Sequence, residues 1–130
     1  MKTYIGKKTI MAKPMTRLEY NKYRNWELPE DEDGNDDGML VEYIDGGKSN
    51  HPNHSGYISW SPLDVFEKAY KPANDYKERL QIEHDELNEK MVALKEAVEN
   101  KQVPESAVAI LIEQYHAMEE YLDILKIRLK

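Results

Sequence analysis

The sequence predicts an α+β protein, with a small N-terminal β-rich domain followed by a long antiparallel helical hairpin. Three observations carry this. Residues 1–72 break into short apolar runs separated by Gly, Pro, Asn and Asp clusters, the pattern of strands and turns. Residues 75–130 contain one proline and no glycine. Within that stretch, apolar residues recur every seven positions in two blocks, as they do along the seam of packed helices. The break at 71–75, Lys-Pro-Ala-Asn-Asp, divides the chain into domains 1–72 and 73–130.

The first element is a strand in TYIGKKTIMAKPM, which is rich in β-branched and aromatic residues. Thr16, with Glu19 three positions later, forms a capping-box pattern and predicts a short helix over 17–23. ELPEDEDGNDDG is an acidic loop. MLVEYI and YISW are two strands, and the Gly-containing connection DGGKSNHPNHSG between them makes a hairpin. SPLDVFEKAY then reads as a short helix, with Ser61 as N-cap, Pro62 in the first helical position and Asp64 in the first turn. In the second domain, Leu80, Leu87 and Leu94 share one register, and His84, Met91 and Val98 the other. ENKQVPES is the turn, with Pro104 near the start of the next helix. That helix carries Leu111, Met118 and Leu125, then Tyr115, Leu122 and Leu129. It also carries a further apolar row of Ile110, Ala117, Tyr121 and Ile124. A helix with so wide an apolar face needs a second partner. The first domain and another copy of the chain both serve, so the expected state is a homo-oligomer.

Composition excludes several classes. There is no cysteine, which removes disulfide frameworks, thiolate zinc sites and thiol catalysis. The N-terminus lacks the apolar run of a signal peptide, and no segment approaches the roughly 20 apolar residues of a membrane span. The expected location is the cytoplasm, without membrane contact. A net charge of −7 speaks against long nucleic acids, whose binders carry a basic footprint. The charge is uneven. Residues 1–26 hold seven Lys or Arg and one acid, whereas residues 27–45 hold nine acids and no base. A local basic pocket for a small anion remains compatible with this.

Two clusters invite a metal. His51 and His54 flank a proline ahead of Tyr57 and Trp60, but zinc needs three or four ligands, and His84 and His116 lie far off on the helices. A polar hairpin loop accounts for the same residues. Asp31, Asp33, Asn35, Asp37 and Glu42 follow the ligand spacing of a calcium loop. However, Asp36 stands where the turn needs glycine, and Gly38 stands where an apolar residue belongs. A solvated acidic loop is the simpler reading, so no metal and no cofactor are expected. The chain shows no nucleophile elbow, P-loop or dinucleotide fingerprint, and no enzyme activity is expected. On the helices, Tyr76, Arg79 and Lys90 offer an aromatic ring and two cations, able to hold a base by stacking and a phosphate by charge.

The helical residues also carry a resemblance. Tyr76, Arg79-Leu80, Glu83, Glu86-Leu87 and Lys90, followed by Glu113-Gln114, Met118, Tyr121, Ile124-Leu125 and Arg128-Leu129, resemble a family of phage anti-CBASS cyclic-nucleotide sponges. The resemblance spans about 55 residues. It implies a helical hairpin assembled into a hexamer that binds cyclic di- and trinucleotides without cleaving them. It implies that Tyr76 stacks on a base, that Lys90 meets a phosphate and that Arg128 serves a second pocket. The N-terminal half resembles a small domain found in phage proteins joined to different partners. A β-containing part before such a helical pair is also similar to the first family of Thoeris anti-defence proteins, which capture cyclic ADP-ribose isomers. Ala109 and Glu113 leave no arginine pair in the middle of the second helix, which weakens that ligand. The expected protein is therefore a viral anti-defence sponge in the host cytoplasm. Its partners are cyclic oligonucleotide messengers and further copies of itself. The alternative is a small phage adaptor whose hairpin binds a host protein.

Overall fold

The computed structural model describes residues Met1–Lys130 and divides them into two units, Met1–Tyr70 and Lys71–Lys130. The fold is α+β, with a three-stranded antiparallel sheet and C-terminal helices.

In the first unit, β1 (Ile10–Pro14), β2 (Gly38–Tyr43) and β3 (Tyr57–Pro62) lie in the order β1-β2-β3. The first strand is shorter than TYIGKKTIMAKPM suggests, because Ile10 pairs with Tyr43, the last residue of β2, and residues before Ile10 meet no partner strand. The predicted β2–β3 hairpin is present, with Leu40 opposite Trp60 and Glu42 opposite Ile58. Between β1 and β2 lies α1 (Arg17–Tyr23), closed at its start by the expected capping box of Thr16 and Glu19. Tyr20 of α1 is buried with Leu40 and Ile58, and Met15, Tyr23 and Trp60 pack around them. Gly38 is required here. A Cβ at that position would lie 2.3 Å from the Trp60 ring, which crosses the strand to donate its indole N–H to the Met15 carbonyl at 2.7 Å.

The helix after β3 begins later than the capping pattern indicates. α2 spans Leu63–Ala69, with Pro62 in the N-cap place and no side-chain cap. Ser61 remains in the strand, opposite Met39, and its hydroxyl turns to the Pro62 carbonyl. Ladder pairing up to Pro62 takes precedence over the local Ser-Pro signal, since extended pairing and helix entry need different backbone angles.

The second unit is a pair of long helices. α3 (Tyr76–Glu99) starts at Asp75, whose carboxylate accepts the Glu78 N–H at 2.8 Å. It ends at Asn100, and Lys101 follows with φ 55°. A 3₁₀ turn (Glu105–Ala107) leads into α4 (Val108–Leu129). The helices run antiparallel, since seven residues up α3 from Tyr76 to Glu83 match seven down α4 from Arg128 to Tyr121. The core is Leu80, Leu87, Met91, Leu122 and Leu125, with Tyr115, Met118 and Leu129 against it. The seam is tightest toward the open end of the hairpin. Leu94, Val98 and Leu111, nearer the turn, are only half-buried, and a groove opens beside them. The further row of Ile110, Ala117, Tyr121 and Ile124 is exposed throughout. Neither helix is long and apolar enough to cross a membrane.

Candidate functional site at the open end of the hairpin

The antiparallel register brings the first residue of α3 beside the last turn of α4. Tyr76 is 56% exposed, so much of its side chain faces solvent. Arg128 donates to the Tyr76 hydroxyl oxygen from Nε at 3.1 Å and also from Nη2. Its guanidinium carbon lies 5.5 Å from the Tyr76 ring centroid, a cation–π distance. The Tyr76 oxygen, with Glu83 and Tyr121 nearby, holds Arg128 more firmly in its charged form than an isolated arginine. Two turns further along, the Tyr121 hydroxyl donates to Glu83. That carboxylate pushes the Tyr121 phenol above its ordinary value, chiefly through this hydrogen bond.

Of the four residues expected to bind ligand, the fold therefore brings Tyr76 and Arg128 together. Arg79 sits nearby but donates to the Ala73 carbonyl at 3.2 Å, tying down the segment that leads into α3. Lys90 is exposed and lies 14 residues beyond Tyr76, about 21 Å along the helix. Along one helix the two residues are therefore set far apart. Glu83 and Tyr121 complete the cluster. In the sequence Tyr121 stands in the apolar row and Glu83 is one charge among many, and both fall in the resemblance pattern without an assigned role. Their meeting depends on the register between the two helices.

The first unit holds a second polar cluster, built around His51 and His54. His54 Nδ1 lies 2.5 Å from Glu42 Oε1, and His54 Nε2 lies 2.7 Å from the Tyr23 hydroxyl. The neutral arrangement that satisfies all three has Nδ1–H donating to the carboxylate and the phenol donating to Nε2. Glu42 also accepts the Gly56 N–H at 3.0 Å. The His54 bond first, then the Gly56 bond, hold its carboxyl below the ordinary value. His51 stacks on Tyr23 with centroids 4.4 Å apart. Its Nδ1 accepts the Asn53 N–H at 3.1 Å, while Nε2 faces the Tyr23 carbonyl at 3.3 Å. Each ring nitrogen of His51 and His54 thus faces a protein group. Some side chains of the acidic loop also have partners in the chain. Glu32 pairs with Arg17, Asp33 caps the Asn35 N–H, and Glu42 faces His54. No group of three or more acidic or histidine side chains is placed to hold a metal.

Taken by its fold, the second unit is an antiparallel two-helix hairpin with an aromatic and charged cluster at its open end. Residues 74–130, which are this unit apart from its first three residues, match the family described as Sequestin. That match fits a sequestering protein. No curated protein matches the chain, and no solved structure does.

Proposed function

We propose that the protein is a non-catalytic sponge that binds and sequesters cyclic oligonucleotide immune signals. It would act in the cytoplasm of a bacterial host as a viral anti-defence factor. The observation that carries this reading is the open Tyr76 ring beside the charged Arg128, within residues similar to Sequestin. An aromatic platform beside a guanidinium suits a stacked base and its phosphate. No step in this reading requires a nucleophile or a metal.

Sequestration calls for a concave pocket that encloses the ligand. One hairpin offers a platform rather than a pocket. In this reading several copies, most simply six, complete it. The exposed row of Ile110, Tyr121 and Ile124 forms the contact between copies. Assembly also answers the distance between Tyr76 and Lys90, because Lys90 of one copy can meet a phosphate whose base lies on Tyr76 of another. Arg79 supplies further positive potential at the rim.

Calorimetric titration of the assembled protein against cyclic dinucleotides, cyclic trinucleotides and cyclic ADP-ribose isomers tests the proposal. Nanomolar binding with the ligand recovered unchanged supports it. An absence of heat with every member, on folded and assembled protein, overturns it. The exposed apolar row would then belong to an adaptor that binds a host protein.

A further inference from the structure

The cluster at the open end is poorly built for phosphate alone. Glu83 places a carboxylate near Arg128, so the formal charges of the two cancel. A phosphate drawn to Arg128 is repelled by Glu83, and the two effects are of similar size at similar distance. Glu83 therefore does not serve anion binding, and beyond the Tyr121 contact its carboxylate has capacity to spare.

An ionised carboxylate only accepts hydrogen bonds, and its two oxygens together offer about four lone-pair sites. Tyr121 occupies one site on Oε2, and Oε1 takes no hydrogen bond within the chain. The free capacity points to a ligand group with two adjacent N–H donors, lying flat enough to use the Tyr76 ring. Guanine fits this description, because its N1–H and N2 amino group stand side by side on the Watson–Crick edge. Adenine presents its amino group beside the N1 lone pair, which a carboxylate repels. Uracil and cytosine each lack the paired donors.

We propose that Glu83 selects guanine. Its carboxylate receives the N1–H and N2 amino group of a base stacked on Tyr76, so guanine-containing cyclic nucleotides are captured in preference to all-adenine ones. The inference rests on the sponge reading and gives that reading its base preference. Tyr121 acts as a positioning residue, since its hydroxyl holds one carboxylate oxygen and leaves the other without a hydrogen bond in the chain.

The test is calorimetric titration of the full chain with cyclic di-GMP and cyclic di-AMP. It compares the parent with Glu83→Gln and Tyr121→Phe, each checked for helix content and assembly. The parent is expected to prefer cyclic di-GMP by about tenfold or more, the discrimination typical of a paired hydrogen-bond contact to one base. Glu83→Gln keeps an oxygen for Tyr121 but turns an amide N–H₂ toward the guanine donors, so the preference collapses. Tyr121→Phe is expected to keep the preference with weaker binding of both ligands. Equal binding of the two ligands by the parent, or an unchanged ratio in Glu83→Gln, overturns the inference and leaves the sponge standing. Failure of both ligands, together with the wider panel, overturns the sponge reading itself. If Glu83→Gln does not fold, the ratio measured on the parent still decides.

Discussion

Ile124→Glu is the sharpest probe of the exposed row on α4. Ile124 is 55% exposed in the single chain, while its neighbour Leu125 is 0% exposed and sits in the hairpin core. A charge at position 124 should therefore leave the hairpin intact, because surface changes on a helix usually stay within about 0.5 kcal/mol. Contact with another copy changes the arithmetic. Covering the open half of an isoleucine contributes about 1 kcal/mol, given roughly 1.5–3 kcal/mol for a full side chain. A carboxylate placed there loses that contribution and adds a desolvation cost of several kcal/mol. In a ring the loss recurs at every interface. The assay is size-exclusion chromatography with light scattering, alongside circular dichroism. The expected outcome is a multiple of 15.3 kDa for the parent and 15.3 kDa for the variant, with equal helix content. A monomeric parent at micromolar concentration, or a variant that assembles as well as the parent, would refute the reasoning.

Leu125→Ala empties a fully buried site between α3 and α4 and should cost about 2–5 kcal/mol in denaturant unfolding followed by circular dichroism. Tyr76→Ala should weaken cyclic-nucleotide binding by about 1–3 kcal/mol, the value of a base–aromatic stack, with helix content unchanged. Lys90→Ala should weaken the same binding and reduce its salt dependence, measured by titration at two ionic strengths. Glu42 is held below the ordinary glutamate value by His54 and Gly56. The unfolded chain therefore binds its proton more readily, and the stabilisation is present above about pH 4.3 and lost as the pH falls through the folded value. Glu42→Gln should flatten that acid limb. The signal is tryptophan fluorescence, since Trp26 and Trp60 both lie in the first unit.

Local chemistry was legible wherever one short segment decided the outcome. Thr16 and Glu19 marked the start of α1 because a capping box lies within four residues. The seven-residue spacing of Leu80, Leu87, Leu122 and Leu129 marked the hairpin and its facing sides, because helical periodicity is written directly in residue spacing. Ser61-Pro62 misled for the opposite reason. Whether a residue ends a strand or starts a helix depends on the neighbouring strand, and β2 lies about twenty residues away. The sites followed the same division. Tyr76 and Arg128 could be singled out as residue types able to stack and to pair with charge. Their contact, the placing of Glu83 and Tyr121 beside them, and the separation of Lys90 from Tyr76 were decided by the register of α4 against α3. The His54–Glu42–Tyr23 cluster depended likewise on α1, β2 and the hairpin loop meeting in space. Sequence alone determined which helices and strands form and which of their faces are apolar. Only the tertiary structure decided which polar groups meet, because a hydrogen bond needs its partners within about 3 Å and spacing along one segment carries no information about the distance to another.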